Sequence, residues 1–444
     1  MVRKSVHGHP KFSELQAILQ KVARMEPTLL DGDVFQTTVH SIYYLFTGKE
    51  SYAKFNEIPA MLATLPVDTV EQFLAVSFPR MCSDLASSTP SVEFLSSGVS
   101  GTISFTPRDA YLFLAQCFLC VPLLDESDSP VLGTTCHLFF TNRSRICQKL
   151  SCFLNYFNIL VAVQTARLTS PMCEAIMGRS IIVDRLVASK LHGAEWWASR
   201  TELLGAVSVQ PLGVPIESLE GLQADFANKH IGGGVLRRGC VQEEIRMMIS
   251  PELILPVLLC DTMEDNEAVV VRNTVQFSAY SGYGSSFKCC GFSKNLWVLL
   301  NSSENCCVQQ DSVVCIDAIP FGLEREIQFH MPLIVRELEK CRIATFGSIK
   351  FVSGNWGCGV FGGDPELKAI IQWLSCSVNA CELIFCPFDS KTGLEEIVEK
   401  ARKISVGAFF NILIQASDDC SNRGTFRVLS EIVDSYNTNP HTSE

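Results

Sequence analysis

The hydrophobic pattern changes period once along the 444 residues, near residue 178. Before that point apolar residues recur at helical spacing: Phe12, Leu15, Ile18, Leu19 and Val22 share one face of a helix predicted over 12–25. Residues 31–46, 69–85 and 143–162 read the same way. Pro107-Arg108-Asp109 opens a further, very apolar helix over 110–124, with Pro in the first turn where its missing N–H costs little. Residues 87–104, rich in Ser, Thr and Gly, read as a loop, as do 125–130. After 178, β-rich runs at 180–183, 205–210, 222–227, 267–277, 312–318, 348–351 and 382–385 alternate with helical runs at 241–249, 324–344, 365–380 and 394–406. Alternation of this kind calls for a sheet covered by helices. The expectation is an α/β protein: a helical domain over 1–177, a sheet-based domain over 178–436 and a polar, frayed tail over 437–444.

Composition removes several classes of function. Apolar residues make up 47% and charged residues 19%, which supplies a large core and excludes a mostly disordered chain. Mean hydropathy is +0.21, yet the oily stretch over 110–124 is shorter than the ~20 residues of a membrane span and contains Gln116 and Pro122. No membrane association is expected, and Met1-Val2-Arg3-Lys4 leads into polar residues rather than an apolar leader. A net charge of −11 argues against a surface that grips nucleic acid along its whole length, while leaving room for a local anion pocket of backbone N–H groups. The 20 cysteines read as reduced thiols. Cys117 and Cys120 form a CxxC inside the oily helix, and the vicinal pairs Cys289-Cys290 and Cys306-Cys307 suit tetrahedral zinc poorly. With no HxxxH among the eight histidines, neither a metal nor a cofactor is expected.

Two glycine segments carry the chemistry. In the first, a β-run ends near Ala227, Gly232-Gly233-Gly234 follows, and a helix opens near Val241 with Gln242-Glu243-Glu244. A glycine loop entering a helix N-terminus is an anion site, because unpaired N–H groups point at the ligand. Carboxylates at that position compensate the helix dipole, and that reading competes with a catalytic one. Successive helical residues lie ~100° apart, so the two glutamates cannot face a ligand equally; one would do acid–base work and the other would hold substrate. The second segment, Ser353-Gly354-Asn355-Trp356-Gly357-Cys358-Gly359-Val360-Phe361-Gly362, satisfies GxGxxG by letter. It lies too late in the chain for a dinucleotide domain, and Asp389 is not at the usual acidic position. What remains is a loop that cradles a diphosphate or a tight β–α turn. Tyr280 and Tyr283, between the loops, either stack on a base or ribose or pack as ordinary amphipathic residues.

Gly232-Gly233-Gly234 followed by Gln242-Glu243-Glu244 resembles the signature of the poly(ADP-ribose) glycohydrolases. The resemblance extends through Asp225 to Asn228, Ile245-Arg246, Pro251 to Leu253, Tyr280 to Gly284 and Gly354 to Asp364. It implies a macrodomain-like mixed β-sheet sandwiched between helices, with an N-terminal, mainly α-helical accessory domain. It implies hydrolysis of the ribose–ribose O-glycosidic bonds of poly(ADP-ribose) with release of ADP-ribose. By position, Glu244 matches the general acid/base and Glu243 the carboxylate that holds the reacting ribose. Gln242 completes the motif, and Asp225 and Asn228 match residues that support the ribose and the catalytic loop. Tyr283 matches the aromatic that closes over ADP-ribose. Asn355, Gly359, Val360 and Phe361 match the diphosphate loop and its aromatic, and Phe388 a second aromatic against the adenosine. Ile216 and Glu217 resemble the adenine-recognition pair, at a shorter spacing from Asp225. The resemblance further implies a monomer that takes polymer on modified proteins, without base-specific nucleic-acid binding. It also implies a nuclear or cytoplasmic place in polymer degradation and the DNA damage response. Two stretches depart from the family: Leu236-Arg237-Arg238 is more basic, and 288–310 is apolar and cysteine-rich. The rival reading is a macrodomain that binds ADP-ribose without cleaving it.

Overall fold

A computed structural model describes the chain except residues 1, 5, 50–54, 89–91, 142, 166–170, 295, 297–308, 389–392 and 439–444. Its centre is an eight-stranded mixed sheet. The strands are β1 (Gly101–Phe105), β2 (Ile181–Val187), β3 (Val207–Val209), β4 (Leu222–Asp225), β5 (Glu267–Thr274), β6 (Asp311–Cys315), β7 (Lys350–Gly354) and β8 (Glu382–Cys386). Their spatial order is β1-β2-β5-β6-β4-β7-β8-β3. β6, β4, β7, β8 and β3 run parallel, and β1, β2 and β5 join antiparallel.

The alternation along β5 shows why the sheet needs cover on both faces. Ala268 and Val270 point into a core with Val314, Leu338, Ile370 and Leu374. Val269 and Val271 point the other way, into a core shared with Phe118, Phe153 and Phe157 of the N-terminal helices. Each buried valine contributes about 1.5–3 kcal/mol, so neither face tolerates solvent. The first core is roofed by Met331–Thr345 and Pro365–Val378. The second is roofed by helix α1 (Ser144–Thr165) and its neighbours. By length and composition α1 would cross a membrane, but 89% of its apolar window is buried inside the protein. The carboxyl ends of β4, β7, β8 and β3 lie along one edge of the sheet, where α/β folds place their ligands.

Several sequence expectations need correction. Residues 87–104 are not simply a loop: Gly101–Phe105 is the edge strand β1, paired with β2 in the register Ile103↔Val183. Thr102 and Ser104 face outward and hydrogen-bond Asp184 (2.7 Å) and Ser180 (2.6 Å), so polar composition hid a strand whose inner face is Ile103 and Phe105. The helical half therefore contributes a strand to the sheet. The oily helix ends at Phe118, because the chain turns at Cys120 (φ +60°) and Leu123–Leu124 pairs with Pro130–Val131. The helix expected over 324–344 is split into a 3-10 turn, Arg325–Phe329, and the helix Met331–Thr345, with His330 extended between them and Pro332 in the first turn of the second. The run over 394–406 is likewise two helices, the second, Val406–Gln415, capped by Ser405. Asn437 and Thr438 end the last helix. Cys306-Cys307, Asp389 and residues 439–444 of the expected tail fall outside the described residues.

Candidate active site

The chain leaves β4 at Asp225, loops through 226–241 and enters helix α2 (Gln242–Ile249). Gln242 closes this loop on the strand: its side-chain oxygen accepts from the Phe226 N–H (2.8 Å) and its amide nitrogen donates to the Ala224 carbonyl (3.0 Å). The next two side chains take the loop's N–H groups. Glu243 accepts from Gly232 (2.5 Å) and Asn228 (3.1 Å), and Glu244 accepts from Gly234 (2.9 Å) and Val241 (2.8 Å). All four carboxylate oxygens of the pair thus accept a backbone N–H from one loop, and each keeps a lone-pair direction for a ligand. Gly233 makes this possible: its φ is +46°, and a Cβ there would stand 2.7 Å from Glu243 Oε2 and 2.9 Å from Glu244 Oε1. Arg246, one turn on, donates to Gln223 (2.8 Å) and Asp311 (2.7 Å), pinning α2 to β4 and β6.

The second glycine loop follows β7. Trp356 is buried under it and donates its indole N–H to the Ile316 carbonyl (3.1 Å). Gly357 has φ +75°, and a Cβ there would press on Ala318 at 2.5 Å. Lys368 lies beneath the loop, its ammonium 4.2 Å from the Trp356 ring and ion-paired to Glu337. Between the two loops is a cleft of about 800 Å³. Ile216 and Glu217 line one end, where Glu217 accepts from the Tyr280 hydroxyl (2.5 Å). Tyr283 and Phe388 stand at the mouth with ring centres 5.2 Å apart, and the Tyr283 hydroxyl accepts from the Gln242 N–H.

The structure brings Glu243, Glu244, Asn228, Gly233, Gly234, Gln242, Tyr283, Ile216, Glu217, Asn355, Gly359, Val360, Phe361 and Phe388 to the wall of this one cleft. Asp225 and Gly232 are not on the wall; Asp225 is buried behind the glutamates and Gly232 lies under the loop. Sequence reasoning missed Lys149. This residue of α1 is fully buried and donates to the carbonyls of Gly234 (3.3 Å), Arg237 (3.0 Å) and Gly239 (2.8 Å). The helical half therefore holds the glycine loop directly. The available signal was a lysine on an apolar helix with no other charge after Arg145. Among the described residues no cluster of His, Cys, Asp and Glu is arranged to hold a metal ion.

Burial dominates the electrostatics. It pushes Asp225 up to about 7, with Glu244 adding to the rise and the Cys315 thiol and Arg246 opposing it. It drives Glu243 well above the usual carboxylate range, helped by Asp225 and Glu244. Asp225 and Glu243 therefore hold their protons to higher pH than exposed carboxyls do. The folded carboxyl of Asp225 titrates above its ordinary value of 3.8, so the folded chain binds a proton that the unfolded chain has lost. That contribution to stability is complete below 3.8 and disappears as pH rises through about 7. Replacing Asp225 with Asn is expected to flatten the fall in denaturation midpoint across this interval. An equally steep fall in both proteins would contradict the assignment.

Comparison with known proteins follows the same division of the chain. A sequence model described as poly(ADP-ribose) glycohydrolase, macro domain fold, matches residues 194–394, and one described as the helical domain of that glycohydrolase matches 65–173. Poly(ADP-ribose) glycohydrolase 1 of Caenorhabditis elegans is 31% identical over 322 residues, covering 69% of this chain and 38% of its own length. Poly(ADP-ribose) glycohydrolase 1 of Arabidopsis thaliana is 27% identical over 493 residues, covering 92% of this chain and 87% of its own. The chain thus spans well under half of the nematode relative and most of the plant one. Among solved structures, a poly(ADP-ribose) glycohydrolase from Thermomonospora curvata aligns at 14% identity with a TM-score of 0.32, over 55% of this chain and 95% of that one.

Proposed function

Because the chain belongs to the poly(ADP-ribose) glycohydrolase family, we propose that it hydrolyses the ribose–ribose O-glycosidic bonds of poly(ADP-ribose) and releases ADP-ribose. The observation that carries the reading is the adjacent pair Glu243 and Glu244, whose four oxygens are fixed by N–H groups of the glycine loop. A site built only to bind an anionic ligand gains nothing from two further carboxylates.

The terminal unit lies with its diphosphate on the Asn355–Phe361 loop and its adenosine toward Ile216, Tyr283 and Phe388. Its distal ribose reaches the glutamates. Glu243, kept neutral by burial and by its acidic neighbours, hydrogen-bonds a ribose hydroxyl. Glu244, in its protonated form, donates its proton to the leaving ribose oxygen as the glycosidic bond breaks and the anomeric carbon gains oxocarbenium character. The Glu244 carboxylate then takes a proton from the attacking water, which restores the acid. Atoms balance with one water consumed per bond.

Incubation with poly(ADP-ribose), followed by anion-exchange separation of the products, tests this directly. Free ADP-ribose is expected. Release of AMP would mean cleavage at the diphosphate instead. Intact polymer from a protein that still binds ADP-ribose would make the chain a binding macrodomain.

A further inference from the structure

Charge is distributed unevenly around the cleft. The chain carries 47 acidic and 36 basic residues, yet the segments 143–165, 226–242 and 275–294 contain not one Asp or Glu. They form one continuous wall. Gln148 of α1 accepts from the Cys289 N–H (3.0 Å), and Asn155 donates to Ser278 (3.1 Å). Lys149 holds the 234–239 loop, and Tyr283 meets Gln242. Arg145, Arg237, Arg238 and Lys288 are exposed on these segments, and none makes an ion pair with a described residue. Arg145 precedes Lys149 by one helical turn, which puts it on the face of α1 that meets the catalytic loop.

Unpaired cations gathered on one wall of an otherwise acidic protein attract a polyanion and fix its direction. None of these four cations lines the cleft, so the diphosphate of the unit bound within it does not account for them. We propose that the wall formed by Arg145, Arg237, Arg238 and Lys288 binds diphosphates of polymer units beyond the one being cleaved, so that the protein favours long chains. This inference rests on the glycohydrolase reading for the identity of the polyanion.

The test compares two ligands, long poly(ADP-ribose) and ADP-ribose itself, by fluorescence anisotropy and calorimetry. It uses the chain with Glu244→Asn, which prevents cleavage during the measurement, with and without Arg145→Glu, Arg238→Glu and Lys288→Glu together. The three reversals lie on exposed side chains, and a melting curve checks that the fold survives. They are expected to weaken long-polymer binding by about 10²-fold at low salt and to flatten its log–log salt dependence by about two, at about 0.7 for each phosphate no longer neutralised. ADP-ribose binding should not change. Equal weakening of both ligands, or no weakening of either, would overturn the wall. So would tighter binding of single-stranded DNA than of polymer, which would make it a nucleic-acid surface. Polymer held through these residues by a wild-type protein that releases no ADP-ribose would instead retire the glycosidase reading and leave the wall standing.

Discussion

Replacing Glu244 with Asn is expected to lower kcat for ADP-ribose release by about 10²–10⁴-fold, the usual worth of a positioned general acid–base. ADP-ribose affinity should persist, because the diphosphate loop and the aromatic mouth are untouched. Glu244→Gln is the sharper form of the test. The amide keeps the volume and one oxygen able to accept from Gly234 or Val241, but it cannot cycle a proton. Its loss should match that of Asn. Glu243→Gln should behave differently. Burial and its neighbours already hold Glu243 neutral, so an amide imitates its resting state and the damage falls mainly on KM. A Glu244→Gln enzyme that turns over at near wild-type rate, or a Glu243→Gln enzyme that is the more damaged in kcat, would reverse the assignment of the two roles.

The second large effect is expected from Lys149→Met. The ammonium is buried among three carbonyls of the glycine loop, and burial lowers its pKa to about 8. Methionine fits the apolar surroundings but takes the ammonium donor from the Arg237 and Gly239 carbonyls, while the Gly234 carbonyl keeps the N–H groups of Arg237 and Gly239. Charged hydrogen bonds are worth about 1.5–3 kcal/mol and unpaired buried groups cost about as much, so a net loss of about 3 kcal/mol is expected. The loop from Gly234 to Gly239 would then lose its fixed geometry, and with it the N–H that holds Glu244. Stability by chemical denaturation and kcat should fall together. A variant with wild-type stability and rate would show that the helical half does not support the site through this residue.

How much of this was legible in sequence depended on where each signal resides. The loop-to-helix segment 225–246 was readable because its chemistry is local: glycines, an N-terminal helix turn and adjacent carboxylates lie within a short stretch. The second glycine loop was readable for the same reason, and its rejection as a dinucleotide motif rested on its late position and on where Asp389 falls after it. Ile216 and Glu217 were legible only through the family resemblance, yet they reach the same cleft as Tyr283 and Phe388. Contacts made across the chain were not readable. Lys149 lies 85 residues from Gly234, and nothing local announces their hydrogen bond. The strand Gly101–Phe105 was hidden for a related reason. Its outward Thr102 and Ser104 look like loop residues until Asp184 and Ser180 are placed opposite them. Asp225 was read as a residue that supports the ribose and the catalytic loop; it is buried behind the glutamates, where its influence on them is electrostatic.

The central claim is that one ligand spans both glycine loops with its reacting carbon at Glu244. A crystal structure of the Glu244→Asn protein with ADP-ribose tests it most directly. The account predicts the diphosphate against the backbone of residues 355–361, the adenosine toward Ile216, Tyr283 and Phe388, and the anomeric carbon of the distal ribose beside residue 244. A ligand lying in the reverse direction, with its adenine at the glutamates, would contradict it.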